Sequence, residues 1–188
     1  MKKLTAIVLA CLLPMSISWA ADTETMTKDS RDAIKMLGGE LKATLQASMK
    51  ANGPIESISV CNIEASKIAT RISEEKGLTV GRTSLKNRNV ANKPDAWEQS
   101  VLEQFEKRKA DGESLENMDF SEVVDYEDGK AFRYMKAIPT GDVCLKCHGA
   151  NIAEPLAKKI SSIYPDDKAT GFNKGDIRGA FTVITPIK

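Results

Sequence analysis

Five consecutive residues, Cys144-Leu145-Lys146-Cys147-His148, constrain this chain more than any other stretch, and His148 is its one histidine. Two thiols in a Cys-x-x-Cys-His arrangement can form thioethers to the two vinyl groups of a single porphyrin. The adjacent imidazole can then reach the iron from the proximal side. The pattern predicts haem c, one covalent haem per chain, on Cys144, Cys147 and His148. A thioredoxin-type redox pair is the first competitor, and it wants a strand directly before the motif and a helix directly after it. Pro139 to Asp142 separates the preceding strand-like run from the motif, and Gly149 follows at once.

The amino terminus points to export. Lys2 and Lys3 precede a short apolar run, Leu4 to Leu13, and Ser18-Trp19-Ala20 offers small residues before a cleavage point. Residues 1–20 therefore read as a signal peptide that carries Cys11 away, and 21–188 as the mature domain. The apolar run is shorter than the roughly 20 residues a membrane span needs, and no later stretch is apolar enough for one. The expected location is the periplasm, which agrees with the motif because haem c is attached outside the cytoplasmic membrane. Loss of Lys2 and Lys3 takes 27 basic residues to 25 against 26 acidic ones, moving the net charge from +1 to −1. Neither value makes a case for nucleic acid or an anionic membrane. Cys61, Cys144 and Cys147 remain after cleavage, an odd number in an oxidising compartment. With His148 they total four possible zinc ligands, although Cys61 lies far upstream and unbound thiols there tend to oxidise.

The rest of the chain reads as a single α+β domain with an antiparallel sheet. Leu37, Leu41, Leu45 and Met49 recur every four residues and predict a helix over 27–52, weakened by Gly38-Gly39 and broken at Asn52-Gly53-Pro54. Ile58, Cys61, Ala65, Ile68 and Ile72 predict a second helix within 55–76 that closes at Gly77 and carries Cys61 on its buried face. A strand is expected at 78–85. A helix opens near Asn92-Lys93-Pro94-Asp95, with Pro in its first turn, and presents Trp97, Val101 and Phe105. Phe120 to Tyr126 and Ala131 to Ile138 flank Glu127-Asp128-Gly129 as a hairpin. Gly141 to Gly149 is expected as a loop, 152–163 as a helix and Ile177 to Ile187 as the last strand.

With one histidine, two histidines cannot ligate one iron within the chain. The second axial position is open to a methionine, from Met26, Met36, Met49, Met118 and Met135, or to Cys61, whose plain reading is a small buried side chain. Arg82, Lys86 and Arg88 form a second constellation, suited to the haem propionates or else a solvated polar loop. Arg133 and Arg178 are weaker candidates of the same kind. Tyr134 suits either the porphyrin face or the sheet core.

Several blocks together carry a resemblance: Val60-Cys61-Asn62-Ile63-Glu64-Ala65, Gly81 to Asn89, Asn92 to Glu98, Arg133-Tyr134-Met135-Lys136, Cys144 to Gly149 and Gly175 to Ala180. They resemble a family of PAS-like extracytoplasmic haem-binding domains, long catalogued as a domain of unknown function, over nearly the whole mature chain. The resemblance implies a PAS-like antiparallel sheet flanked by helices, with His148 and Cys61 as the two axial ligands. A thiolate ligand favours ferric iron and a low potential. Because such domains serve as sensors in membrane signalling proteins, the expectation is a redox or small-gas sensing module. Cys61 would let go on reduction, and the chain would bind a diatomic gas and report to a redox or signalling partner. A soluble periplasmic electron-transfer cytochrome is the alternative. No nucleophile–base pair or acid–base dyad stands out, so no enzyme is expected.

Overall fold

The computed structural model describes residues 16–127 and 129–187. Residues 1–15 of the expected leader, and Asp128 of the hairpin turn, lie outside them. The element order is α1 (Ser16–Glu56), a π-helical turn (Val60–Glu64), α2 (Ala65–Lys76), β1 (Thr79–Thr83), α3 (Ala96–Ala110), β2 (Asp119–Tyr126), β3 (Gly129–Pro139), α4 (Asp142–His148), α5 (Glu154–Ile163) and β4 (Ile177–Ile187). The strands form one antiparallel sheet in the order β1-β4-β3-β2. This is the expected α+β domain.

Period-2 alternation along β3 explains how both sheet faces are covered. Phe132 and Tyr134 face α1 and α2, where they join Leu37, Ile68, Ile72, Val80 and Val183 in one core. Met135 and Ala137 face α3 and pack with Val101, Leu102, Phe105, Met118 and Ala180 in a second. The strand is therefore buried continuously from Ala131 to Met135. Tyr134 is sheet core: its hydroxyl donates to Asp119 and accepts from Arg31 Nε at 3.1 Å. Arg133, on the opposite face, pairs with Asp95 at 2.8 Å and Glu98 at 3.3 Å and stacks 4.3 Å from the Trp97 ring centroid. Its charge is spent on the start of α3, so Arg133 is not available to a ligand.

Several local expectations need correction. Gly38 lies within α1 and lets it approach the sheet closely: a Cβ there would stand 3.0 Å from Phe181 Cζ. The chain does break where Gly53 turns to φ 76°. Pro94 precedes α3 rather than entering its first turn. Asp95 is the N-cap, closing a reciprocal capping box with Glu98. The segment carrying Cys61 is a π-helical turn, whose additional residue advances the register. Val60 takes the core position, at 4% exposure, while Cys61 is left half-buried. The motif itself lies on a helix, α4, and not in a loop.

Candidate functional site

α4 places Cys144 and Cys147 three residues apart, one helical turn, with His148 beside them. All three border a cavity of about 200 Å³. One wall is apolar and comes from α1 and the chain beyond it, through Leu41, Leu45, Met49 and Ile58. Ile138 and Val143 extend it. Cys61, Tyr164 and three arginines, Arg82, Arg88 and Arg178, also line the cavity, together with polar residues of the 83–92 stretch. Of the sequence-predicted site residues, the structure thus brings together Cys61, Arg82, Arg88, Cys144, Cys147 and His148. Lys86 is not among them. Its side chain is exposed, with the ammonium 5.2 Å from the Phe172 ring centroid, outside the cavity wall.

The motif is held by a segment some 20 residues downstream. Phe172 N–H donates to His148 O at 3.0 Å and Gly171 N–H to Gly149 O at 3.1 Å. At Gly149 a side chain has no room, since a Cβ would meet Leu145 O at 2.6 Å. His148 Nδ1 lies 2.8 Å from Ala169 O. Burial, reinforced by Arg178 and Arg88, pushes the imidazole pKa down to about 2. The ring is therefore neutral. With Nδ1–H donated to the Ala169 carbonyl, Nε2 carries the lone pair, and among the described residues it has no hydrogen-bond partner. A neutral histidine anchored through one nitrogen and free at the other is the form in which histidine serves as a metal ligand. Cys144 and Cys147 are free thiols, and burial pushes the Cys147 thiol up, so it is held protonated.

The arginines differ in what they do. Arg88, 9% exposed, bonds Cys147 O at 2.6 Å and Ala169 O at 3.2 Å and pairs with Asp167 at 3.0 Å. Its first duty is thus to clamp the motif, although its buried Nε has no partner among the described residues. Arg178 bonds Ser84 Oγ at 3.2 Å and the Lys86 carbonyl at 3.3 Å. Burial and the neighbouring Arg88 and Arg82 push it down to about 10. Arg82 is lowered by burial against the pull of Cys61 and Tyr164. Among the described residues neither Arg82 nor Arg178 makes an ion pair with a carboxylate. The cavity therefore carries cationic charge in excess, set beside an apolar wall. Two carboxylates on an otherwise apolar ligand answer that excess, so the residues fit the haem that the motif implies.

For a second iron ligand, the structure narrows the methionines to one. Met118 and Met135 are fully buried in the α3 core, and Met26 and Met36 pack against the α1–α2 core. Met49 alone of the five borders the cavity, which Cys61 lines as well. No three His, Cys, Asp or Glu side chains among the described residues group so as to hold a metal ion. Sequence reasoning missed Tyr164, and ranked Arg178 below Lys86. Tyr164 was signalled by its place one residue after the helix expected at 152–163, and Arg178 by the Gly175 to Ala180 block.

A family model, Tll0287-like (Tll0287), matches residues 17–186. The chain belongs to the Tll0287-like family. That membership meets the resemblance carried by the Cys61, Arg82 and Cys144 blocks. The chain is similar to the crystal structure of the cyanobacterial heme-protein Tll0287, with a TM-score of 0.62 and 24% identity over 89% of this chain and 96% of that one. At that identity the likeness speaks for the fold. A search of curated proteins finds no match. Among the described residues, this Tll0287-like chain has no helix long and apolar enough to cross a membrane.

Proposed function

We propose that this chain is a periplasmic c-type haem protein whose one haem is fastened through Cys144 and Cys147, ligated by His148 and Cys61, and used for redox or small-gas sensing. The carrying observation is His148, neutral and anchored through Nδ1, on the same cavity wall as the two free thiols of its motif. The similarity to a cyanobacterial heme-protein supports the same reading. When bound, the group supplies one-electron chemistry and, at an open position, a site for a diatomic gas. Arg82, Arg178 and the spare Nε of Arg88 would receive the propionates. Leu41, Leu45 and Ile58 would exclude water from the porphyrin face. The leader expected at residues 1–20 would take the chain to where haem c is attached.

Sensing, as against electron transfer, is favoured by the turn that bears Cys61. A π-helical turn can relax towards α-helical pitch by shifting one residue, and such turns cluster at functional sites. Cys61 therefore stands on the part of its helix best able to move a ligand away. Its companion would be a redox or signalling protein.

The test compares oxidised and reduced absorption spectra of the wild type and Cys61→Ala, with and without carbon monoxide. The reading expects ferric thiolate features that vanish in Cys61→Ala, and rapid carbon monoxide binding by the reduced wild type. Identical spectra for both proteins transfer the second position to Met49. A reduced wild type that keeps both ligands under carbon monoxide is an electron carrier, not a sensor.

A further inference from the structure

Four large apolar side chains are exposed among the described residues: Ile63, Leu85, Val90 and Val143. Scattered singly over a surface, such residues need no explanation. These are gathered at one place. Val143 lines the cavity itself, Leu85 and Val90 adjoin the lining residues Ser84 and Asn89, and Ile63 stands two residues after Cys61. Val90, at 66%, is the most open of them, yet it is held in place. It begins a short helical turn, Val90–Asn92, in which Ala91 N–H donates to Asn89 Oδ1 at 3.0 Å. Ser84 N–H donates to Asn92 O at 3.2 Å, which ties the turn back to the chain just beyond β1. The charge here is cationic. Residues 82–93 hold Arg82, Lys86, Arg88 and Lys93 and no Asp or Glu. Lys86, Lys93 and, on α4, Lys146 are exposed and make no ion pair among the described residues. Asp142, the acidic residue of α4, is neutralised by Lys174 at 2.8 Å. Two exposed carboxylates without an ion pair, Glu56 and Asp166, adjoin other lining segments, at the end of α1 and beyond α5.

We propose that this rim, the 82–93 stretch with Val143 and Lys146 of α4, is the docking surface for an acidic protein that carries one electron. The proposal rests on the reading of the cavity as a haem site and names the chemistry of the partner. Apolar side chains at the mouth supply contact area, and unpaired lysines among them steer a partner of opposite charge into register. A fixed turn presents Val90 already ordered, so little freedom is lost on contact. A module that responds to redox state has to be reduced by something. The docked carrier gives up one electron, and the ferric iron takes it and becomes ferrous. An anionic membrane surface fits less well. None of the four exposed apolar residues is aromatic, and they sit on two turns, a loop and a seven-residue helix instead of one amphipathic helix face.

The experiment uses the haem-loaded chain and a flavodoxin, an acidic one-electron carrier, as the probe. Thermophoresis gives the dissociation constant with the oxidised probe, and stopped flow gives the rate at which the reduced probe reduces the chain. Vesicles of phosphatidylglycerol are tested in parallel by sedimentation. Lys93→Glu and Val90→Asp are each expected to weaken binding by about fivefold and to slow reduction by a similar factor. Lys107→Glu, the same charge change at an exposed position on α3, should leave both unchanged. Binding should also weaken as salt rises from about 10 mM to about 200 mM. Equal losses in Lys93→Glu and Lys107→Glu would overturn the inference, since net charge and not this rim would then govern binding. Sedimentation with vesicles without binding to flavodoxin overturns it in favour of a membrane. A coloured chain that ignores flavodoxin overturns this inference alone, whereas a colourless chain overturns the haem reading and the docking role with it.

Discussion

Arg88→Met is expected to destabilise the haem-free chain by about 3–5 kcal/mol, the usual cost of stranding one member of a buried ion pair. Arg88 and Asp167 are nearly equally enclosed, with side-chain exposures of 9% and 10%. Removing the guanidinium leaves the Asp167 carboxylate uncompensated and releases the carbonyls of Cys147 and Ala169 together. Those carbonyls lie on the motif and on the segment that anchors His148, so the loss is concentrated at the site. Urea unfolding measures it. The double variant Arg88→Met/Asp167→Leu should recover most of the loss, because both charges are then gone and the pair is coupled. A single variant within about 1 kcal/mol of the wild type would mean that Arg88 is the solvated loop residue its neighbour Lys86 turns out to be.

The second large effect is acid sensitivity of the same haem-free chain. His148 has an unfolded pKa near 6.5 and a folded one of about 2. Between those values the unfolded chain binds a proton that the folded chain refuses. The stabilisation is complete above about pH 6.5 and is lost as pH falls, at about 1.4 kcal/mol per unit. By pH 4 the loss from this one group is about 3 kcal/mol. Asp119 and Asp176, whose folded pKa values are also lowered, add to acid unfolding but only below the carboxylate range. His148→Gln isolates the histidine: its stability should be flat between pH 6.5 and 4.5, where the wild type declines. Parallel curves would show that the imidazole is not held neutral by its surroundings.

How much of this could be read from the sequence differs by residue, for physical reasons. That Cys144, Cys147 and His148 stand together at one cavity is local and was legible, as was β4, whose bounds Ile177–Ile187 match the expected strand. The helical form of the motif was not legible. Gly141 and Gly149 flank only seven residues, and the bonds that fix them come from Ala169 to Phe172, which no local pattern announces. The π-helical turn was hidden for a similar reason. The 3-4 spacing through Ile58, Cys61 and Ala65 reads as α-helix, and one extra residue per turn is settled by packing. Arg178 reaches the cavity wall from β4, which pairs with β1, the strand that carries Arg82. Nearness in sequence favoured Lys86 instead, whose side chain leaves the wall for Phe172.

The proposed bonding of one haem to Cys144 and Cys147 carries all the rest. It is tested most directly by the intact mass and reduced pyridine spectrum of the mature protein, matured with haem-attachment machinery and then denatured in acidified acetone. The expected result is a chain heavier by one haem, coloured after denaturation, with the c-type α-band. A colourless chain of unmodified mass, obtained alongside a properly matured control cytochrome, would contradict it and return the two cysteines to thiol chemistry.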